Sequence, residues 1–588
     1  MKRALAASKK DFARSRHGAA RVIVHACAVI LSMAASNSGQ AQQATHQPRP
    51  DPQQAEKHLN AIQTEQSRAN RPAIPIPGVA KPEAAASTKP LFKLTAVSVE
   101  GAGMIPTEQI SATYRSHIGT TVSQADLTAI TGMISKLYRD AGYHLSRAIV
   151  PPQDIKGGRI RIQVIEGQIA EIVVKGNGAE QFGVRSLLDA VIDERPSRLK
   201  TLERQLLLMN DVPGVRVADT ALEEIGKASG RFRLTVTVET WRIYSAQGLD
   251  NLGASAVGPL EAYSAAAFNS YFIGGDSLGV NLSTVPSAMR ELAFGRLSYD
   301  APVARDGARL GASVLYSDIW PGDERRQLDT HTQTETYELK GSVVPLETRK
   351  SSLVLTATAD LSEVSERDTL DTSYRDHLRI VGLTADYKLQ DELGGWNYLT
   401  LVLHQGINVF GASQQGDALL SRSDASNNFS VLDFSATRYQ KFSDIWSLKL
   451  AASGQWASAP LLTSQQFYLG GAAYGPGYYS GDNGIAGSVE LRFDQTLKHE
   501  LLKGYQLYGF MDRGGVWNYG AGTDDILSLS SVGAGVRFYL VDRLQAGVAI
   551  AAPVHYRTTA DEVRDLRVLF SLSNSIKICP ERAQMNCL

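Results

Sequence analysis

From Trp241 to Ile576 the sequence alternates apolar and polar residues in short runs separated by loops, and helical spacing nearly vanishes. In "WSLKLAASGQW", Trp446, Leu448, Leu450 and Ala452 fall on one side and Ser447, Lys449, Ala451 and Ser453 on the other. "GSVELRFDQ" sets Val489, Leu491 and Phe493 against Glu490 and Arg492, and "VGAGVRFYL" sets Val532, Ala534, Val536 and Phe538 against Gly533, Gly535, Arg537 and Tyr539. A period of two is that of a β-strand whose two faces meet different surroundings. About 16 such runs follow one another, roughly 21 residues each with its loop; strands of about ten residues, an even count and unequal loops are the pattern of an outer-membrane barrel. Short turns are expected at Asp306-Gly307 and Asp542-Arg543. Long connections are expected at Pro321 to His331, at Gln414 to Asn427, and at the Gly-rich "LGGAAYGPGYYSGDNG" from Leu469 to Gly484. A soluble sandwich or propeller would need more protein over both faces, and this stretch has neither helices to supply it nor a blade-length repeat. Closing the sheet satisfies every backbone polar group in lipid, which an open sheet does not.

The formal net charge of zero gives no global basic field for nucleic acid. Beyond Ser36 no apolar run reaches about 18 residues, so a helical membrane span is not expected. Basic residues crowd Met1 to Arg21, "VIVHACAVILSMAA" follows from Val22, and Gly39 and Ala41 are the small residues before a cleavage after Ala41. Residues 1–41 read as a secretory signal peptide; a membrane anchor is the competing reading, with a short apolar core for that role. Residues 42–90 combine a polar helix, "DPQQAEKHLNAIQTEQSRAN", with a Pro-rich linker.

Two small α+β modules are expected next, 91–167 and 168–240. In the first, a strand in "LFKLTAVSVEGAG" precedes a helix that Ser123 can cap, with Leu127, Ile130, Met133, Ile134 and Leu137 at helical spacing. "SRAIVPPQDIKGGRIRIQVIEG" then supplies two strands joined by a turn around Asp154 to Gly158. The second repeats the order: a strand in "IAEIVVKGNG", helical stretches near Val184–Ile192 and Leu199–Met209, and two closing strands. The shared order suggests an internal duplication.

The whole mature chain resembles the two-partner secretion transporters, the TpsB family of hemolysin secretion/activation proteins (ShlB, FhaC, HecB), within the BamA-type outer-membrane superfamily. Three motifs carry the resemblance. "GYHLSRAIVPPQDIKGGRIRIQVIEGQIAEIVVKGNG" is similar to the seam between that family's two POTRA domains, with Gly142, Tyr143, Pro151, Pro152, Gln153 and Gly167 as its marker residues. "YGPGYYSGDNG" (Tyr474, Gly475, Pro476, Gly477 and Tyr478 leading) sits where the family has a loop motif ending in Arg-Gly-Tyr, after the eleventh strand. "GFMDRGG" matches the family's Phe-x-Asp motif on the thirteenth strand through Phe510 and Asp512. The resemblance implies a mainly β chain: a 16-stranded antiparallel transmembrane barrel at 241–576, behind two POTRA domains, with a tail at 577–588.

It also implies a function. Periplasmic POTRA domains would bind an unfolded secreted exoprotein, and the barrel would carry it across the outer membrane to the cell surface. Outer-membrane lipid and, during biogenesis, the barrel assembly machinery would be the other partners; no cofactor, metal, nucleic acid or catalytic residue is implied. A BamA- or TamA-like assembly factor is the alternative. An enzyme is disfavoured because no His-Glu-x-x-His motif occurs and the Gly-x-Ser-x-Gly string at Gly275–Gly279 falls among alternating segments, with no helical pattern after it to form an elbow. A simple porin would not need POTRA domains.

One departure bears on the loop. Pro476 stands where the family's arginine would pair with the Phe-x-Asp aspartate. A phosphate-cradling loop is excluded because a strand, not a helix, follows. An ordinary surface loop explains the glycines; a loop folded into the barrel also explains the clustered tyrosines, with Pro476 stiffening its tip and Tyr478 near Phe510. Phe510 and Asp512 share one face of their strand, taken as inward, as do Glu490 and Arg492 of theirs. Asp512 is expected to pair with Arg492 or with backbone amides. In the tail, Cys579 and Cys587 are expected to form a disulfide in an exported protein.

Overall fold

The computed structural model describes residues 87–520, 522, 526–540, 543–556 and 566–578, apart from the side chains of Ser255, His555, Tyr556 and Ile578. The signal peptide, the polar helix, nearly all of the linker, and Cys579 and Cys587 lie outside these residues.

Two α+β units precede the barrel. In the first, Arg159–Ile165 is the central strand, parallel to Ala96–Glu100 on one side and antiparallel to Arg147–Ile149 on the other. The helix Gln124–Asp140 starts at a capping box: the Asp126 amide donates to Ser123 Oγ at 3.3 Å and the Ser123 amide to Asp126 Oδ2 at 2.8 Å. Its Leu127, Ile130, Ile134 and Tyr138 pack on Ile160, Ile162 and Val164 of the sheet. Met133, expected with them, lies at the edge of the apolar stripe and is exposed. In the second unit Arg231–Thr240 is central, parallel to Gln168–Lys175 and antiparallel to Val215–Glu224. Its alternation drives Phe232, Leu234, Val236 and Val238 onto Leu202, Leu206 and Met209 of the helix Leu199–Asn210. Both units therefore place their last strand between the first and second, a shared topology that explains how two sequences of weak identity repeat one order.

The units meet through the segment that follows Gly142. Tyr143 enters the first core and Leu145 the second. The Leu199 amide donates to the Gly142 carbonyl at 2.9 Å, and Arg198 donates to Tyr143 Oη at 3.1 Å. Gly167 passes so close that a Cβ there would lie 2.4 Å from the Leu145 carbonyl oxygen; only glycine fits. Pro151, Pro152 and Gln153 are placed differently. They stay in the connection between two strands of the first unit, where the Gln153 amide clamps the backbone of Arg161 through bonds of 2.7 and 2.8 Å.

The rest is a closed barrel of sixteen antiparallel strands, running from Ile243–Asp250 to Arg567–Ile578, with first and last paired from Ser571↔Asp250 to Ile578↔Ile243. The last strand continues two residues past the expected Ile576. Alternation is realised as inside and outside: Leu507, Met511, Val532, Val568 and Phe570 are exposed, whereas Glu490 and Gln506 are buried. Strand length departs from the expected ten or so residues. The sixth to eighth strands, His331–Glu347, Ser351–Arg367 and Thr372–Gln390, have 17, 17 and 19 residues. At about 3.4 Å per residue they outrun a hydrocarbon layer of about 30 Å even when tilted, so one side of the barrel rises past the membrane.

The second unit docks on the turns at the opposite end. Arg204 donates to the carbonyls of Val344 (2.6 Å) and Asp306 (3.3 Å), Arg305 pairs with Asp189 at 2.8 Å, and Arg349 pairs with Glu203 at 3.1 Å.

Candidate functional site

The segment between the eleventh strand, Trp446–Ala457, and the twelfth, Asn483–Thr496, does not leave the barrel as a surface loop. It forms a two-stranded sheet of its own, Phe467–Gly471 against Gly475–Gly481, with Phe467↔Gly481, Tyr468↔Ser480, Leu469↔Tyr479 and Gly471↔Gly475 paired. The hairpin packs against the inside of the wall. Leu469, Ala473, Tyr474 and Tyr479 share a buried cluster with Val516, Leu529, Ala549 and Leu569 of the last strands, and Tyr478, Tyr508 and Phe510 pack against that cluster. The tyrosines brace one another: Tyr478 lies 5.2 Å from Tyr474 and 5.0 Å from Tyr479 between ring centroids.

The tip is Ala472–Tyr474, not Pro476. Pro476, Gly477 and Tyr478 bulge out of the return strand opposite Gly470, where the register slips. A residue without an N–H costs nothing where the ladder is already interrupted. Gly470 is required by the bulge: a Cβ there would sit 2.2 Å from the Gly475 carbonyl oxygen.

Asp512 receives the tip. The Ala472 amide donates to its Oδ2 at 3.2 Å, Ser531 Oγ donates to the same oxygen at 2.7 Å, and Ser488 Oγ donates to Oδ1 at 3.3 Å. Ser488, Asp512 and Ser531 are one rung across three strands, the thirteenth being Leu502–Trp517 and the fourteenth Leu527–Leu540. Arg492, the expected partner, pairs elsewhere. It sits four residues along from Ser488, about 13 Å at strand rise, and Glu490 intercepts it with a 2.5 Å bond. Glu490 also takes Arg537 through bonds of 2.8 and 3.1 Å, and the Arg537 guanidinium lies 3.7 Å over the Tyr508 ring. The wall thus carries two separate polar centres: a neutral cradle around Asp512 that holds the hairpin, and an ion network around Glu490 one rung nearer the α+β units.

Ser488 and Ser531 were not singled out from the sequence. Their only signal is inward parity, and the register that aligns them with Asp512 is absent from a single sequence. Arg537 had a clearer one, on the same face as Gly533 and Gly535. Cavities of about 280 and 310 Å³ flank the tip and share Ser488 and Asp512; the seated hairpin leaves space beside it.

Residues 92–167 match the family model described as POTRA domain, ShlB-type, and residues 231–538 match that of haemolysin secretion/activation protein ShlB/FhaC/HecB. The chain belongs to the ShlB/FhaC/HecB family. Its members are the outer-membrane transporters of two-partner secretion, so the barrel is an outer-membrane barrel and the α+β units are POTRA domains on its periplasmic side. The heme/hemopexin transporter protein HuxB of Haemophilus influenzae is 23% identical over 473 residues, spanning 76% of this chain and 81% of that one. The outer membrane transporter CdiB of Escherichia coli is 25% identical over 460 residues, 74% of each. The solved structure of CdiB from Escherichia coli shares the fold with a TM-score of 0.70 at 20% identity, covering 91% of this chain and all of that one.

Proposed function

We propose that the hairpin Phe467–Gly481 is the movable gate through which an unfolded secreted polypeptide passes. The observation that carries this reading is the Asp512 cradle: the Ala472 amide of the tip bonds to Asp512, which the wall hydroxyls of Ser488 and Ser531 orient, with no arginine from the hairpin. That charge-assisted bond contributes about 1.5–3 kcal/mol net, a hold that an entering chain can displace. The client, a TpsA-like exoprotein, binds the POTRA domains by adding a strand to an exposed sheet edge or filling the groove beside a helix. It then enters past the docked second domain and moves outward as the hairpin leaves the wall. The apolar outer face, with Val532, Ile550, Val568 and Phe570, contacts outer-membrane lipid, and the barrel assembly machinery inserts it. The chain carries no nucleotide-binding motif, so folding of the client outside the cell supplies the drive. The test is co-expression with a large secreted protein that carries a β-helical N-terminal domain, sought among the genes adjacent to that of this chain. It should reach the medium only from cells that make the chain; retention in the periplasm with or without the chain would sink the reading.

A further inference from the structure

Asp482 follows the hairpin's last residue and is fully buried. Its carboxylate gathers four residues from three connections of the outer mouth. Oδ1 accepts from the guanidinium of Arg422, from the Leu461 amide at 3.0 Å and from Gln466 Nε2 at 3.3 Å; Oδ2 accepts from the Tyr519 amide at 2.9 Å. Arg422 comes from the long connection between the ninth strand, Trp396–Gly406, and the tenth, Ser430–Lys441. Sixty residues separate it from Asp482.

That connection is built, not loose. It leans on the tall eighth strand, where fully buried Asn427 donates to the carbonyls of Arg379 (3.0 Å) and Ile407 (2.9 Å). Beside Arg422, the Ser421 amide donates to a second fully buried carboxylate, Asp376, at 3.0 Å, and Ser421 Oγ accepts from the Thr463 amide at 3.0 Å. Arg422 also donates to the Leu461 carbonyl at 3.0 Å. Leu461 and Leu462, both fully buried, pack with Tyr374, Leu378 and Phe429 beneath the crossing. Two buried carboxylates on opposite sides thus fix two consecutive residues of one strap, and the second carboxylate is the root of the hairpin.

We propose that Arg422 is a positioning residue for the gate. By closing on Asp482 it holds the root of the hairpin, so that the tip stays on Asp512, and its release precedes opening. A carboxylate with no access to water needs its cation, so root and strap open together. This inference rests on the gate reading of the hairpin, and it concerns what holds the gate rather than what passes through.

The experiment uses the full chain with Cys579→Ser and Cys587→Ser, purified and inserted in planar bilayers, without any client. A cysteine at the buried tip residue Ala473 reports hairpin departure through a membrane-impermeant maleimide. Arg422→Ala is expected to raise open-channel time and the labelling rate at least fivefold, and Arg422→Lys to restore much of the closed state. Barrel folding, read by the heat-dependent gel shift and the thermal midpoint of the barrel, should stay as in the parent. A merely structural loop contact would lower the thermal midpoint and leave labelling of the folded fraction at the parental rate; that result overturns the proposal. Should Arg422→Ala fail to assemble, Asp482→Asn carries the same two readouts. Parental conductance and labelling in a folded barrel without this ion pair overturn it equally. Exoprotein secretion, assayed separately, distinguishes failure of the transport reading, because neither bilayer readout needs a client.

Discussion

At the residue scale, the rung Ser488–Asp512–Ser531 seats the hairpin without the arginine of the family motif. Asp512→Ala removes all three hydrogen bonds to the carboxylate, of which one anchors the hairpin. A loss of about 1–3 kcal/mol in hairpin docking is expected, with barrel assembly retained because the wall ladder does not depend on that side chain. Single-channel recording should show longer openings; a parental record would exclude Asp512 as the seat. Arg492→Ala should leave the hairpin seated, since that side chain serves Glu490.

A second residue effect lies in the POTRA seam. Burial, with no hydrogen-bond partner on either ring nitrogen, holds His144 down at about 4, against about 6.5 when unfolded. Across that window the unfolded chain binds the extra proton, so stability rises with pH. The seam is therefore fully stable above about pH 6.5 and loses stability as pH falls towards about 4. Protection factors of residues 142–147 in the full chain, with exchange rates corrected for the intrinsic pH dependence of amide exchange, should fall over that range. His144→Phe should flatten the profile; an unchanged slope in that variant would assign the effect to another group.

At the level of elements, the hairpin and the wall were legible to different degrees. Alternation of period two gives the strand faces: Phe510, Asp512, Glu490 and Arg492 lie on the face that parity predicts, and glycines with clustered tyrosines point to an inward loop. Partners were not legible. Parity fixes a face, but which residues share a rung depends on register between strands, so Arg492 was matched to Asp512 although it lies about 13 Å from that rung. The tip was misplaced because proline suggests a turn, whereas here it occupies a bulge. Gly470→Ala tests that geometry. Its Cβ would meet the Gly475 carbonyl and Pro476 Cα at 2.2 and 2.7 Å, so the hairpin should lose about 1–3 kcal/mol while the barrel still folds. Labelling of a cysteine at Ala473 should rise; unaltered labelling would place the strain elsewhere.

At the scale of the whole molecule, the second POTRA domain grips one side of the periplasmic rim, on the turns after the fourth and sixth strands. The unequal strength of that grip is readable in magnitudes. Arg204 makes two charge-assisted bonds to carbonyls, each about 1.5–3 kcal/mol. Arg305–Asp189 and Arg349–Glu203 are surface pairs of about 0–1 kcal/mol. Arg204→Ala should therefore loosen the domain, seen as faster exchange at residues 304–308, and Arg349→Ala should not. Equal effects would mean the surface pairs carry the contact. The architecture at this scale was the most legible part of the sequence, because strand number and domain order follow from local periodicity. The tall eighth strand and the strap it supports were not, since nothing local tells a strand where the membrane ends.

The central claim is that the hairpin must leave its seat for a client to pass. A Cβ on Gly471 would lie 3.0 Å from Ser531 Oγ, so Gly471→Cys with Ser531→Cys, in a chain carrying Cys579→Ser and Cys587→Ser, can lock tip to wall. Secretion of the partner exoprotein should stop in the oxidised pair and return on reduction, with each single cysteine secreting normally. Undiminished secretion through a fully crosslinked barrel would contradict the claim.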